Sequence, residues 1–180
     1  MNTINSDHID FKQKFDEKVE ELKETLIPLG KDPGTSCAAL TFTSILDVLG
    51  REELKKQYFN NLATSFSGMA PFTTKKGWKG PCGAVYGAIA AIGIITGGQE
   101  KLVSYEVPKL YSKVLMFANK FENKFGSLSC EEICGYNTGA NLKEYVKNRV
   151  WENKCCGFIL YAIEKVAKLT RKELKEKWNT

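Results

Sequence analysis

The stretch "GPCGAVYGAIAAIGIITGG", Gly80 to Gly98, is the least polar part of the chain and one of its richest in glycine. A run this apolar has to be buried, so it fixes the centre of the fold. A membrane span needs about 20 apolar residues. The clean run here, Pro81 to Thr96, is shorter, opens on proline and closes on glycines. The spacing therefore predicts a buried core helix. A dinucleotide loop would need G-x-G-x-x-G after a strand, and a Walker A loop would end in Gly-Lys-Ser/Thr. Neither is present. Gly83, Gly87 and Ala91 are four apart and share one face, with Ala84 and Ala88 beside them. Such a face lets neighbouring backbones approach closely.

The remaining periodicity is also helical. Phe11, Phe15, Val19, Leu22 and Leu26 recur at spacings of three and four, with Pro28 and Gly30 ending that helix. A second helix is expected after "DPGTS", carrying Cys37, Leu40, Ser44, Ile45 and Val48 up to Gly50. "REELKKQYFNNLA" reads as a short polar helix, and Gly68 to Lys79 as a loop. Leu110, Val114, Phe117, Phe121 and Phe125 form a further stripe, with Pro108 in its first turn or at a kink. "SLSCEEICG", "TGANLKEYVKNR" and "KCCGFILYAIEKVAKL" read as three more helices. No run alternates as a half-buried strand does. The expected fold is all-α: one compact multi-helix domain over residues 1–180 around a Gly/Ala-rich buried central helix. Within it, 1–30 is an amphipathic helix, 31–168 a four-cysteine module and 169–180 a helical tail.

Composition narrows the function. Hydrophobic residues make up 43% of the chain, enough for a core. The net charge of +5 is spread among mixed Lys and Glu, as in "TRKELKEKW", the pattern of solvated helix faces and not of a nucleic-acid arm. The first residues lack the apolar region of a secretory signal, which points to the cytoplasm. Six cysteines in a reducing compartment imply metal or thiol chemistry before disulfides. No C-x-x-C pair exists, and the one histidine, His8, lies in a polar segment, so His-based metal binding or Cys-His catalysis has little to rest on.

Four cysteines fall where helices are expected to start. Cys37 follows Thr35-Ser36, and Cys82 follows Gly-Pro. Cys130 follows Ser129 with Glu132 three residues on, and Cys155 follows Asn153-Lys154. Unpaired N–H groups and the helix dipole stabilise a thiolate there. Lys79 and Lys154 would add to this if turned inward. Four such starts converging would gather four thiolates, as a metal or iron–sulfur site or a redox thiol cluster. Cys134, before Gly135, and Cys156, beside Cys155, are expected to be structural.

"CGAVYG", with "SCAAL" before it and "GSLSCEEICG" and "KCCGFILYAIEKV" after it, resembles the redox-active proteins named for a C…CGAxxG…C…C pattern. The likeness runs from about Cys37 to Val166. It implies a small helical domain whose four shared cysteines are redox-active or bind metal; a related module is fused to a multihaem cytochrome, where an iron–sulfur cluster has been suggested. Carried over, those cysteines are Cys37, Cys82, Cys130 and one of Cys155 and Cys156. Cys155 is preferred because it sets Ile159 and Ala162 at the apolar positions that follow. Members often have a Gly-rich loop before the motif, whereas this chain has "SGMAPFTTKKGWKG". The expected protein binds an iron–sulfur cluster or other metal and meets a redox partner protein. No nucleic acid and no membrane span are expected, and the small-residue helix would equally serve across a homodimer. The alternatives are a thiol–disulfide oxidoreductase, with Cys82 attacking, and a helical interaction protein with structural cysteines.

Overall fold

The structure, a computed structural model, describes residues 9–29, 35–55 and 57–179. Among these residues it is all-helical, as the periodicity requires. The α-helices are α1 (Phe11–Leu29), α2 (Cys37–Leu49), α3 (Gln57–Ser67), α4 (Gly83–Gly97) and α5 (Val107–Phe125), followed by α6 (Cys130–Cys134), α7 (Leu142–Lys147), α8 (Cys156–Leu169) and α9 (Arg171–Lys177). No helix of the described residues is long and apolar enough to cross a membrane. His8, Gly30 and most of "DPGTS" lie outside the described residues.

α4 is the axis, with α2, α3, α5, α8 and α9 packed around it. Its small face meets α2. A Cβ on Gly87 would lie 2.4 Å from the Ala38 carbonyl oxygen, and one on Gly83 would lie 3.0 Å from Cys37 Cβ. Gly93, on another side, has nothing within 4 Å of that position. The two glycines therefore predict opposite effects. Gly87→Ala drives a methyl into backbone that only helix displacement can relieve. It should lower stability by about 2 kcal/mol, even after the roughly 1 kcal/mol that alanine gains in a helix. Gly93→Ala keeps only the gain, so its unfolding midpoint in denaturant should rise.

Several expected boundaries move, each for a visible reason. Pro28 lies inside the last turn of α1 instead of ending it. The polar third helix divides into a 3₁₀ turn, Glu52–Lys55, and α3, which runs on to Ser67. That extension lets Ser67 Oγ accept from Ala38 N–H at 3.2 Å and meet Ser36 Oγ at 2.9 Å, tying α3 to the start of α2. Pro108 sits in the first turn of α5. Beyond α8, α9 folds back on the core: Leu174 and Trp178 are buried, and Trp178 Nε1 donates to the Ile95 carbonyl at 3.0 Å.

Candidate functional site

Backbone pairing brings two of the cysteines together. Cys82 N–H donates to the Leu128 carbonyl at 2.8 Å, and Cys130 N–H donates to the Gly80 carbonyl at 3.1 Å. Pro81 and Ser129 thus face each other in an isolated antiparallel bridge, with Cys82 and Cys130 just beyond it. Gly80 permits this crossing, because a Cβ there would lie 1.6 Å from the Met69 carbonyl oxygen. Cys37 arrives at the first turn of α2, where Ser36 caps Ala39 N–H at 3.1 Å. Ser129 caps α6 in the same way, at 3.4 Å from Glu132 N–H, and places Cys130 at its start.

Two of the four expected helix starts differ. Helix α4 begins at Gly83, so Cys82 is its cap residue and Pro81 belongs to the bridge before it. Cys155 is not at a helix start, and Asn153 caps nothing there. The helical run begins at Trp151, because Trp151 is buried and its Nε1 donates to the Leu26 carbonyl at 2.6 Å. Cys155 closes a π turn, Trp151–Cys155, in which Cys156 N–H reaches back five residues to the Trp151 carbonyl. That turn leads directly into α8.

Cys37, Cys82, Cys130 and Cys155 nevertheless line one cavity of about 780 Å³, together with Tyr145 and Arg149. Cys156 is buried outside its lining. Cys134, expected to be structural, lies one helical turn from Cys130, and its Sγ exchanges hydrogen bonds with Tyr136, donating to the carbonyl at 3.1 Å and accepting from the N–H at 3.4 Å. The cysteines form two neighbouring pairs, Cys37 beside Cys155 and Cys130 beside Cys134. Cys37 and Cys130 are pushed up, first by the neighbouring thiol and then by burial. Their neighbours go down. Cys155 is lowered by Cys37 and, against its burial, by Tyr145, whose hydroxyl is 3.2 Å from its sulfur. Cys134 comes down to about 7, through Cys130, the Tyr136 N–H and the charge of Lys154. Burial pushes Cys82 up to about 12, although Ala84 and Val85 N–H groups of α4 bond its sulfur.

Of the two lysines considered, Lys154 acts on the thiols and also donates to the Cys134 carbonyl at 2.9 Å. Lys79 instead pairs with Glu131 at 3.1 Å and Glu132 at 3.6 Å. Among the described residues, no three His, Cys, Asp or Glu side chains stand where they could hold a metal ion. The thiols are distributed over the cavity wall instead.

In metal-free protein, ultraviolet thiolate absorbance should show a step near pH 7, absent in Cys134→Ser. The Cys134 contribution to stability is full above the ordinary thiol range and is lost as pH falls through about 7. The Cys82 contribution is opposite. It is full below that range and is lost as pH rises towards about 12.

Sequence reasoning missed Tyr145 and set Cys134 aside. The spacing of Cys130 and Cys134, four apart in "CEEIC", was a usable signal, since residues so placed meet on a helix face. Nothing local marks the Tyr145 hydroxyl as aimed at a thiol.

No curated protein and no solved structure matches the chain. A family model described as "Putative redox-active protein (C_GCAxxG_C_C)" matches residues 35–169. That span holds all six cysteines; the family's pattern carries Gly-Cys-Ala where Cys-Gly-Ala was expected, and this chain reads Cys82-Gly83-Ala84. The match covers most of the chain and includes every thiol of the cavity, so the chain belongs to this family of redox-active proteins.

Proposed function

We propose that the protein carries electrons through an iron–sulfur cluster held by Cys37, Cys82, Cys130 and Cys155. The observation that supports this reading is that four thiols from four separate segments line a single cavity. A cluster of several irons and bridging sulfides is held by thiolates, and all four of these side chains are cysteines. When bound, it would supply one-electron chemistry. The chain's own contribution is to bury the site, bring N–H groups of α4 to Cys82 and place the Tyr145 hydroxyl on Cys155. A redox partner protein and a reducing, cytoplasmic compartment go with this reading.

A second reading rests on Cys37 and Cys155 standing beside each other in the shared cavity. Two neighbouring thiols can pass electrons to a partner's disulfide. Cys155 thiolate attacks it and releases one partner thiolate; Cys37, losing its proton, attacks the mixed disulfide and releases the second. Protein purified without oxygen separates the readings. Stoichiometric iron and acid-labile sulfide, with visible absorption, supports the cluster. A colourless, metal-free protein with a reversible Cys37–Cys155 disulfide would replace it with the second reading.

A further inference from the structure

We propose that Tyr145 is a positioning residue that raises the reduction potential of the thiol centre through the hydrogen bond from its hydroxyl to Cys155 Sγ. The inference rests on the reading of Cys155 as a member of that centre. It adds a residue outside the shared cysteines, and it gives a reason for Cys155 to serve in place of its neighbour Cys156.

The placement is specific. Tyr145 is the sole residue of α7 that is not exposed; Leu142 and Val146 beside it are 59% and 66% exposed. Helix α7 buries none of its residues fully. Leu142, Tyr145 and Val146 of α7 all line the cavity with the four cysteines, and of these three it is the Tyr145 ring that packs against the core. The hydroxyl lies 3.2 Å from Cys155 Sγ. Cys37 stands beside the same sulfur in the cavity lining. Among the described residues, no hydroxyl is placed on Cys156, one residue on, and it stands outside the cavity lining.

The physical consequence has one sign under either redox reading. Adding an electron to a cluster, or reducing a disulfide to a thiolate, places more negative charge on the sulfur. A donor fixed on that sulfur stabilises the reduced state. Hydrogen bonds to charged acceptors are the stronger class. Removing this one should therefore make reduction harder.

The test is Tyr145→Phe, which keeps the ring and deletes the donor. Wild type and variant, both purified without oxygen, are titrated against the same redox dyes, and iron and sulfide are measured in each. The reduction equilibrium is expected to shift about tenfold towards the oxidised form, which for one electron is roughly 59 mV. Cys156→Ala should leave it in place. An unchanged or raised potential in Tyr145→Phe would overturn the proposal, and so would an equal drop in Cys156→Ala. Failure of the cluster reading shows separately, as wild type without iron or sulfide; the same comparison then applies to the dithiol couple. A wild type with neither couple overturns both. If Tyr145→Phe loses its helical signal, Tyr145→Leu with Leu142→Ala as a packing control separates lost contact from lost donor. Equal potentials in those two variants would count against the hydroxyl.

Discussion

Cys82→Ala is expected to abolish bound iron and sulfide, and with them the visible spectrum, while the helical circular dichroism stays. Cys82 is 3% exposed and stands at the centre of the arrangement. The bridge through Pro81 and Ser129 sets it against Cys130, and Gly83 after it lets α2 bring Cys37 near. Alanine retains that backbone and most of the packing, so the fold has little reason to fail. On the cluster reading, only a ligand is lost. Cys156→Ala, made alongside, should retain iron at the wild-type ratio. Iron retained in Cys82→Ala would remove this cysteine from the site.

The second large effect is far from the thiols. Glu173 is fully buried, and its carboxylate lies 2.6 Å from Lys109 Nζ and 3.1 Å from Lys113 Nζ. It fastens α9 to α5. Burial alone would raise its pKa, but the bond from Lys109, its own backbone N–H and Lys113 outweigh that and hold it below the usual carboxylate range. Removing one partner of a buried pair costs about 3–5 kcal/mol. Lys109 is half exposed and regains water once freed, which places Glu173→Ala near the lower end, about 3 kcal/mol. A depressed pKa means the contribution is full above the unfolded carboxylate value and is lost as pH falls through the folded one. Wild type should therefore lose stability on acidification more steeply than Glu173→Gln. Parallel denaturation midpoints for the two across the acid range would show that the ion pairs contribute nothing.

The architecture was readable where periodicity and burial coincide. The stripes of α1 and α5 and the small face of α4 follow from side chains that must be covered, and burial is decided largely by which residues are apolar. Cys37 and Cys130 were readable for another reason: capping residues announce where a chain turns into a helix, as Ser36 and Ser129 do here, whereas no cap marks Cys82 or Cys155. What the sequence hid is set by distant partners. Trp151 starts the helical run into α8 early because Leu26, far away in the chain, offers its carbonyl. Cys134 gains its role from Cys130 and Lys154, and Tyr145 from a sulfur ten residues on. No local pattern encodes such meetings.

The π turn before Cys155 holds one residue more than the α turn that would replace it. Trp151 is anchored on one side and α8 is packed on the other, so the turn stores slack between two fixed points. Deleting Asn153 should let it tighten to α geometry, with both anchors kept and Cys155 still facing the cavity. An unfolding midpoint close to wild type, with iron retained, would show this. The distance along the chain between Cys130 and Cys155 is therefore elastic by one residue, while their meeting in space is not.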